Sequence, residues 1–221
     1  MQRHLDQDLV ALKEKLLTMA SFAETAVVLA MKALAGRDAG LAGEVVAADT
    51  TLDRFEIELD ELCINLLALK APIAADLRLI TAAMKINQNL ERVGDEAAKI
   101  AKCARALSYL DESAEGSGDI PRLAETVIVL LRTSLDAFVK GDTGLARECI
   151  QKDREIDARN KSIQGELADV MVKTPHRIGA CLQRMIVSKS LERIADHAVN
   201  VAEEVVFLYE GKDIRHLADE S

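Results

Sequence analysis

The sequence predicts an all-α fold built as two tandem antiparallel three-helix bundles, six long helices in all, with an internal repeat. Three observations predict it: apolar residues follow steps of three and four through each half, the three prolines stand where helices would begin, and key residues recur 101 to 104 positions apart. With 49% hydrophobic and 29% charged residues among 221, the chain can bury a sizeable core. Its 28 basic and 37 acidic side chains give a net charge of -9, which excludes a protein that coats nucleic acid or an anionic bilayer. Lacking Trp, and with two Tyr and four Phe, it has little material for base stacking or aromatic cation cages.

From Leu5, the residues Leu9, Leu12, Leu16, Met19, Ala23, Ala26 and Ala30 form the stripe of a first helix running to about Ala35. Asp38 then caps a second helix, with stripe Leu41, Val45, Ala48, Leu52, Phe55, Leu59, Leu62, Leu66 and Leu69. A third stripe, Leu79, Ala83, Ile86, Leu90, Val93, Ala97, Ile100, Ala104 and Leu107, follows Pro72 and reaches about Leu110. The polar run from Asp111 to Asp119 reads as a linker.

The second half repeats the first, with helices expected over 120–140, 143–172 and 175–211. Asp142 matches Asp38, Gly144-Leu145-Ala146 matches Gly40-Leu41-Ala42, and Asp153 with Asp157 matches Asp49 with Asp53, all 104 residues on. Leu191-Glu192-Arg193 with Asp196 matches Leu90-Glu91-Arg92 with Asp95 at a spacing of 101. The boundaries are therefore a first bundle over 1–112, a linker over 113–119 and a second bundle over 120–221. Helices of this length span about 50 Å, so an elongated molecule is expected.

Cys63, Cys103, Cys149 and Cys181 form no C-x-x-C pair and read as buried free thiols. Met1 to Asp8 lacks a basic stretch leading into an apolar one, and no later segment is read as long and apolar enough to cross a bilayer. A cytoplasmic location is expected, with membrane association only through partners. Val27, Val28, Leu67, Leu131 and Val206 fall outside the stripes and read either as a candidate homodimer face or as residues that widen the core.

The residues able to do chemistry are the pairs Asp49/Asp53, Glu91/Asp95, Asp153/Asp157 and Glu192/Asp196. Each i, i+4 spacing puts two carboxylates on one helix face, where they repel unless a cation lies between them. With 37 acids such pairs arise by chance, so the signal is their equivalence between the repeats. Two readings stand, a solvated acidic face and a cation site. On the heptad Glu91 and Asp95 take positions away from the core, which predicts solvent-facing sites and argues against a buried diiron centre. All-oxygen donors suit Mg²⁺, Ca²⁺, Mn²⁺ or Fe³⁺ ahead of Zn²⁺ or copper. Asn200, one turn beyond Asp196, is a further candidate ligand, while Lys99 holds the matching place in the first half. Arg92 and Arg193 stand as braces for the neighbouring acids, and His197 reads as a surface histidine. No Gly-rich phosphate loop, nucleophile elbow or Ser/His/Asp spacing is present, which counts against an enzyme.

Asp76-Leu77-Arg78, the segment from Leu90 to Ala97 and that from Leu191 to Glu203 resemble the PhoU family of phosphate-uptake regulators, over nearly the whole chain. Val93 and Ala195 depart from the usual Ile and Gly of the signatures, and neither change removes a carboxylate. The resemblance implies a cytoplasmic, non-enzymatic accessory protein of the phosphate ABC transporter. Such a protein restrains the phosphate-starvation regulon, with the transporter's ATPase subunit and a sensor histidine kinase as partners. It also implies that the four acid pairs hold metal in some members, with Fe, Mg, Mn, Ca or Zn as the candidate ions. The alternative class is a carboxylate-metal hydrolase or oxidase, for which the sequence marks neither pocket nor base.

Overall fold

A computed structural model of the chain describes residues 2–70, 72–110 and 119–214. Helices α1 (Gln2–Gly36), α2 (Ala39–Lys70) and α3 (Ala74–Ser108) form the first half, and α4 (Ile120–Lys140), α5 (Thr143–Lys173) and α6 (Ile178–Glu210) the second. Of the expected linker over 113–119, only Asp119 is described. It is the N-cap of α4, its carbonyl accepting from Leu123 N at 2.9 Å. Pro175 opens a 3-10 turn, Pro175–Arg177, that leads into α6.

The two repeats start and stop their helices alike. Asp38 Oδ1 accepts from Leu41 N at 2.9 Å and Asp142 Oδ1 from Leu145 N at 3.0 Å, caps that each contribute about 1 kcal/mol. Before each cap the chain turns through the left-handed region, at Arg37 (φ 51°) and at Gly141 (φ 66°). Arg37 bears this conformation while its Nη1 donates to Leu110 O at 3.3 Å. Gly141 has a second reason to be glycine, because a Cβ there would lie 2.8 Å from Tyr209 Cζ.

Both halves draw on one core. Helix α3 packs against α1, α2 and α6, and α6 against α3, α4 and α5, while α1 also meets α4. This pattern lays α2, α3, α6 and α5 side by side in one layer and backs them with α1 and α4. The two bundles are thus joined along their lengths. Pairings across the seam run in opposite directions, from Lys85 with Glu204, through Asn89 with Asn200, to Glu96 with Arg193, so α3 and α6 are antiparallel.

The stripe of α1 is buried as expected, Leu12, Met19, Ala23 and Ala30 each being 0% exposed. In α2 one edge of the stripe is buried throughout, at Val45, Leu52, Leu59 and Leu66 with Cys63 beside them, while the other edge is half-buried or, at Ala48 and Leu69, exposed. This helix packs against α1 and α3 only, so its core face is narrow.

One open reading is decided in favour of a wider core, and one expectation is corrected. Val27, Leu131 and Val206 are fully buried, and Val28 and Leu67 partly so, because the helices that carry them pack against several neighbours and need more than one apolar face. Leu5–Gly36 of α1 is long and apolar enough, by length and composition alone, to cross a membrane. Its apolar stripe lines the core, facing α2, α3 and α4. All four cysteines are free and buried, and burial pushes Cys63 up to about 12 and Cys103 and Cys149 up to about 11, leaving these three thiols protonated and unreactive at neutral pH.

The two left-handed turns should respond differently to substitution. Gly141→Ala combines backbone strain with a clash against Tyr209 and should lower stability in urea unfolding by about 1 to 3 kcal/mol. Arg37→Gly relieves strain and should raise it by up to about 1 kcal/mol.

Candidate functional site

The acid pairs line two clefts, one between α2 and α3 and one between α5 and α6. At the first, Gly94 is buried in the turn between Glu91 and Asp95, and a Cβ there would collide with Leu52 Cδ1 of α2. The missing side chain lets α3 lie close to α2 at the level of the acids, with Asp49 Oδ1 3.6 Å from where that Cβ would stand. In the second half Ala195 takes this position and is 0% exposed.

The clefts make the acids less solvent-facing than the heptad predicted. The Glu91 and Glu192 side chains are only 13% and 12% exposed, and Asp49, Asp95 and Asp153 are half-buried, whereas Asp53, Asp157 and Asp196 remain open to solvent. The heptad describes a helix with one buried face. α3 and α6 each have three neighbours, so their outward positions fall beside another helix.

Burial and mutual repulsion raise the proton affinity of these groups. In the first cleft burial, then the charges of Asp95 and Asp53, raise Asp49, and burial followed by Asp95 pushes Glu91 up to about 6. Glu56, which the sequence reading missed, belongs here too: it is raised by burial and by the charges of Asp60, Asp53 and Asp95. Its position one helical turn past Asp53 was the available signal, and it lacked repeat support because Asn160 stands in the matching place. In the second cleft burial, then Glu192, Asp153 and Asp157, pushes Asp196 up to about 6, and Asp153 is raised by burial and Asp157.

The two clefts differ in what neutralises them. Arg92 lies across the first, with Nε 3.3 Å from Glu91 Oε2 and Nη1 3.1 Å from Asp95 Oδ2, and so braces its neighbours as expected. Arg193, its repeat counterpart, does not. It crosses the seam and places Nη1 3.4 Å from Glu96 Oε1. Lys189 meets Glu192 at 2.5 Å and its charge also favours ionised Asp196, beside which Asp153 and Asp157 converge.

Those three aspartates each offer one oxygen, all within 4.8 Å of one another, and among the described residues theirs is the one such group. Asp153 Oδ1 is buried without a hydrogen-bond partner. An orphaned carboxylate oxygen beside two more is a donor set that fits a hard cation.

Asn200 is placed elsewhere. The Asn89 amide donates to Lys85 O at 2.8 Å, leaving its oxygen to accept from His197 Nδ1 at 2.9 Å and from Asn200 Nδ2 at 3.2 Å. Asn200 and His197 therefore belong to a polar groove between α3 and α6, where Arg92 and Gln88 also stand. His197 is half-buried rather than a surface residue, and burial holds it below the ordinary histidine range.

Fold and clefts together define a duplicated helical protein with two carboxylate clusters and, among the described residues, no constellation of nucleophile and base. A model of the PhoU domain matches residues 16–104 and again 120–205, and the chain belongs to the PhoU family. A Pseudomonas putida protein, a phosphate-specific transport system accessory protein PhoU homolog, is 37% identical over 97% of this chain and 84% of its own length. A homolog from Pseudomonas aeruginosa is 36% identical over 97% of this chain and 89% of itself. The crystal structure of PhoU from Pseudomonas aeruginosa matches with a TM-score of 0.91 at 36% identity, covering 94% of this chain and 99% of that one. That of the phosphate transport system regulatory protein PhoU from Streptococcus pneumoniae matches with a TM-score of 0.87 at 27% identity, covering 95% and 98%. These names are those of accessory and regulatory proteins, not of enzymes.

The raised carboxyls set a pH dependence. Glu91 and Asp196 bind protons more tightly folded, near 6, than free carboxyls do at 4.5 and 3.8. The folded state therefore holds more protons in that window, and stability falls as pH rises from about 4 to about 6. Thermal melts of chelator-treated protein should accordingly show a higher midpoint at pH 5 than at pH 7, and Glu91→Gln/Asp196→Asn should flatten the difference.

Proposed function

We propose that this chain is a non-enzymatic regulator of phosphate uptake that restrains the phosphate-starvation regulon. It acts in the cytoplasm between the phosphate ABC transporter, through its ATPase subunit, and a sensor histidine kinase. The observation that carries the reading is membership of the PhoU family, with relatives named as accessory proteins of the phosphate-specific transport system along nearly the whole chain. The clusters contribute metal sites: Asp153, Asp157, Glu192 and Asp196 in one half, and Asp49, Asp53, Glu91 and Asp95 in the other. A bound iron, magnesium, manganese, calcium or zinc ion would supply positive charge that relieves the repulsion among the carboxylates and stiffens each helix pair.

An adaptor works by contact, and one surface supports that role. Ile178, Leu182 and Ile186, at successive turns of α6, are 42%, 48% and 44% exposed. Their counterparts in α3 are Leu77, Thr81 and Lys85, so this strip is apolar throughout in the second half alone. It is a surface on which a partner, or the second copy of a homodimer, would bury apolar area.

The test is alkaline phosphatase activity in phosphate-replete cells of the source organism. Deleting the gene should raise activity, and restoring the wild type should repress it. Asp153→Asn/Asp196→Asn should repress less well if the cluster takes part. Activity that stays low on deletion would sink the negative-regulator reading.

A further inference from the structure

Residues 96 and 197 occupy the same place in the two repeats, and they differ in kind. Glu96 on α3 is 4% exposed. Its carboxyl accepts from Lys99 Nζ at 2.7 Å and faces Arg193 Nη1 at 3.4 Å across the seam. An arginine standing opposite this carboxylate is drawn over the seam. On the other side the residue facing Arg92 is His197, whose Nδ1 is committed to Asn89. It offers no negative charge, and Arg92 folds back on Glu91 and Asp95.

We propose that this Glu96/His197 difference makes the two carboxylate clusters unequal: Arg92 is a built-in counter-cation that closes the first, while Glu96 holds Arg193 away and leaves the second open to a metal ion. The inference rests on the metal-binding reading given above and adds which cluster fills first and why. A cation entering the first cluster displaces a guanidinium already paired with two of its ligands. One entering the second meets three converging aspartate oxygens, with Lys189 paired to Glu192 and its charge felt also at Asp196. Arg92 and Arg193 are thus positioning residues, identical in type and in repeat position and opposite in effect.

The experiment uses Mn²⁺ as the probe, titrated into chelator-treated full-length protein and followed by the electron paramagnetic resonance of the free ion. Asp95→Asn and Asp196→Asn assign each binding event to a half. In the wild type the second cluster should bind at least about tenfold more tightly than the first. Arg92→Gln should tighten the first by about tenfold and leave the second unchanged. Glu96→Gln, which releases Arg193 toward Glu192 and Asp196, should weaken the second severalfold. Glu96→Gln/Arg193→Gln, which removes the released arginine, should restore it, so a general loss of structure in Glu96→Gln is told apart by this rescue. Equal affinities in the wild type, or a first cluster indifferent to Arg92→Gln, would overturn the counter-cation. No uptake of Mn²⁺ by either half, with or without Arg92, would overturn the metal-binding reading and this inference together.

Discussion

The antiparallel contact of α3 with α6 is the constraint from which the rest follows. Each helix is covered on several sides, α3 by α1, α2 and α6 and α6 by α3, α4 and α5, and small residues run through their buried faces, Ala97, Ala101 and Ala104 on one and Ala195, Ala198 and Ala202 on the other. A pair enclosed in this way has little room for polar groups, and those it carries must find partners across the seam. Lys85 does so with the nearly buried Glu204 at 3.0 Å, and its ammonium also lies 5.2 Å from the centre of the Phe207 ring. The repeat counterparts of Lys85 and Glu204 are Ile186 and Cys103, an apolar pair at the other end of the seam. Two halves of shared design therefore meet through one ionic and one apolar end, and the exposed strip ending at Ile186 belongs to the apolar end.

The helices themselves could be read from the sequence because their determinants are local. Asp38 and Asp142 cap from within three residues, Pro121 sits in the first turn of α4, and the stripes follow the period of the helix. How the halves meet could not be read in the same way. A stripe reports one apolar face, and residues on a second face, such as Val27, Leu131 and Val206, look surplus until a neighbouring helix covers them. Ala48 and Leu69 show the converse: they belong to the stripe by spacing, yet α2 has only α1 and α3 to cover it and leaves that edge exposed.

The acid pairs were legible for the reason that the caps were: spacing within one helix decides which side chains share a face. What neutralises them was not. Arg92 and Arg193 share the Leu-Glu before them and the Asp three residues on, and the partner that draws Arg193 away lies 97 positions off. Asn200 likewise follows Asp196 by one turn, as a ligand should, yet the oxygen of Asn89, 111 positions away, draws its amide into the seam. A residue on a helix with two polar sides is assigned by the stronger partner, and that partner lies on another helix.

Cluster and seam are also mechanically close. Asp95 and Glu96 are consecutive, as are Glu192 and Arg193, so the groups that repel one another in the clefts and the groups that join the halves are set one residue apart on the same rigid helices. Crowded carboxylates pushed up to about 6 hold charge at neutral pH against their environment, and that cost is borne by the α2/α3 and α5/α6 contacts. Neutralising a cluster, by proton or by cation, removes the repulsion between the helices of that pair. Because α3 and α6 are shared between cleft and seam, any adjustment of either pair is carried to the Glu96 and Arg193 contact and to the groove beside it. A protein without catalytic machinery can still change what it presents to a partner by this route, since the surface strip on α6 lies on the same helix as Glu192, Arg193 and Asp196.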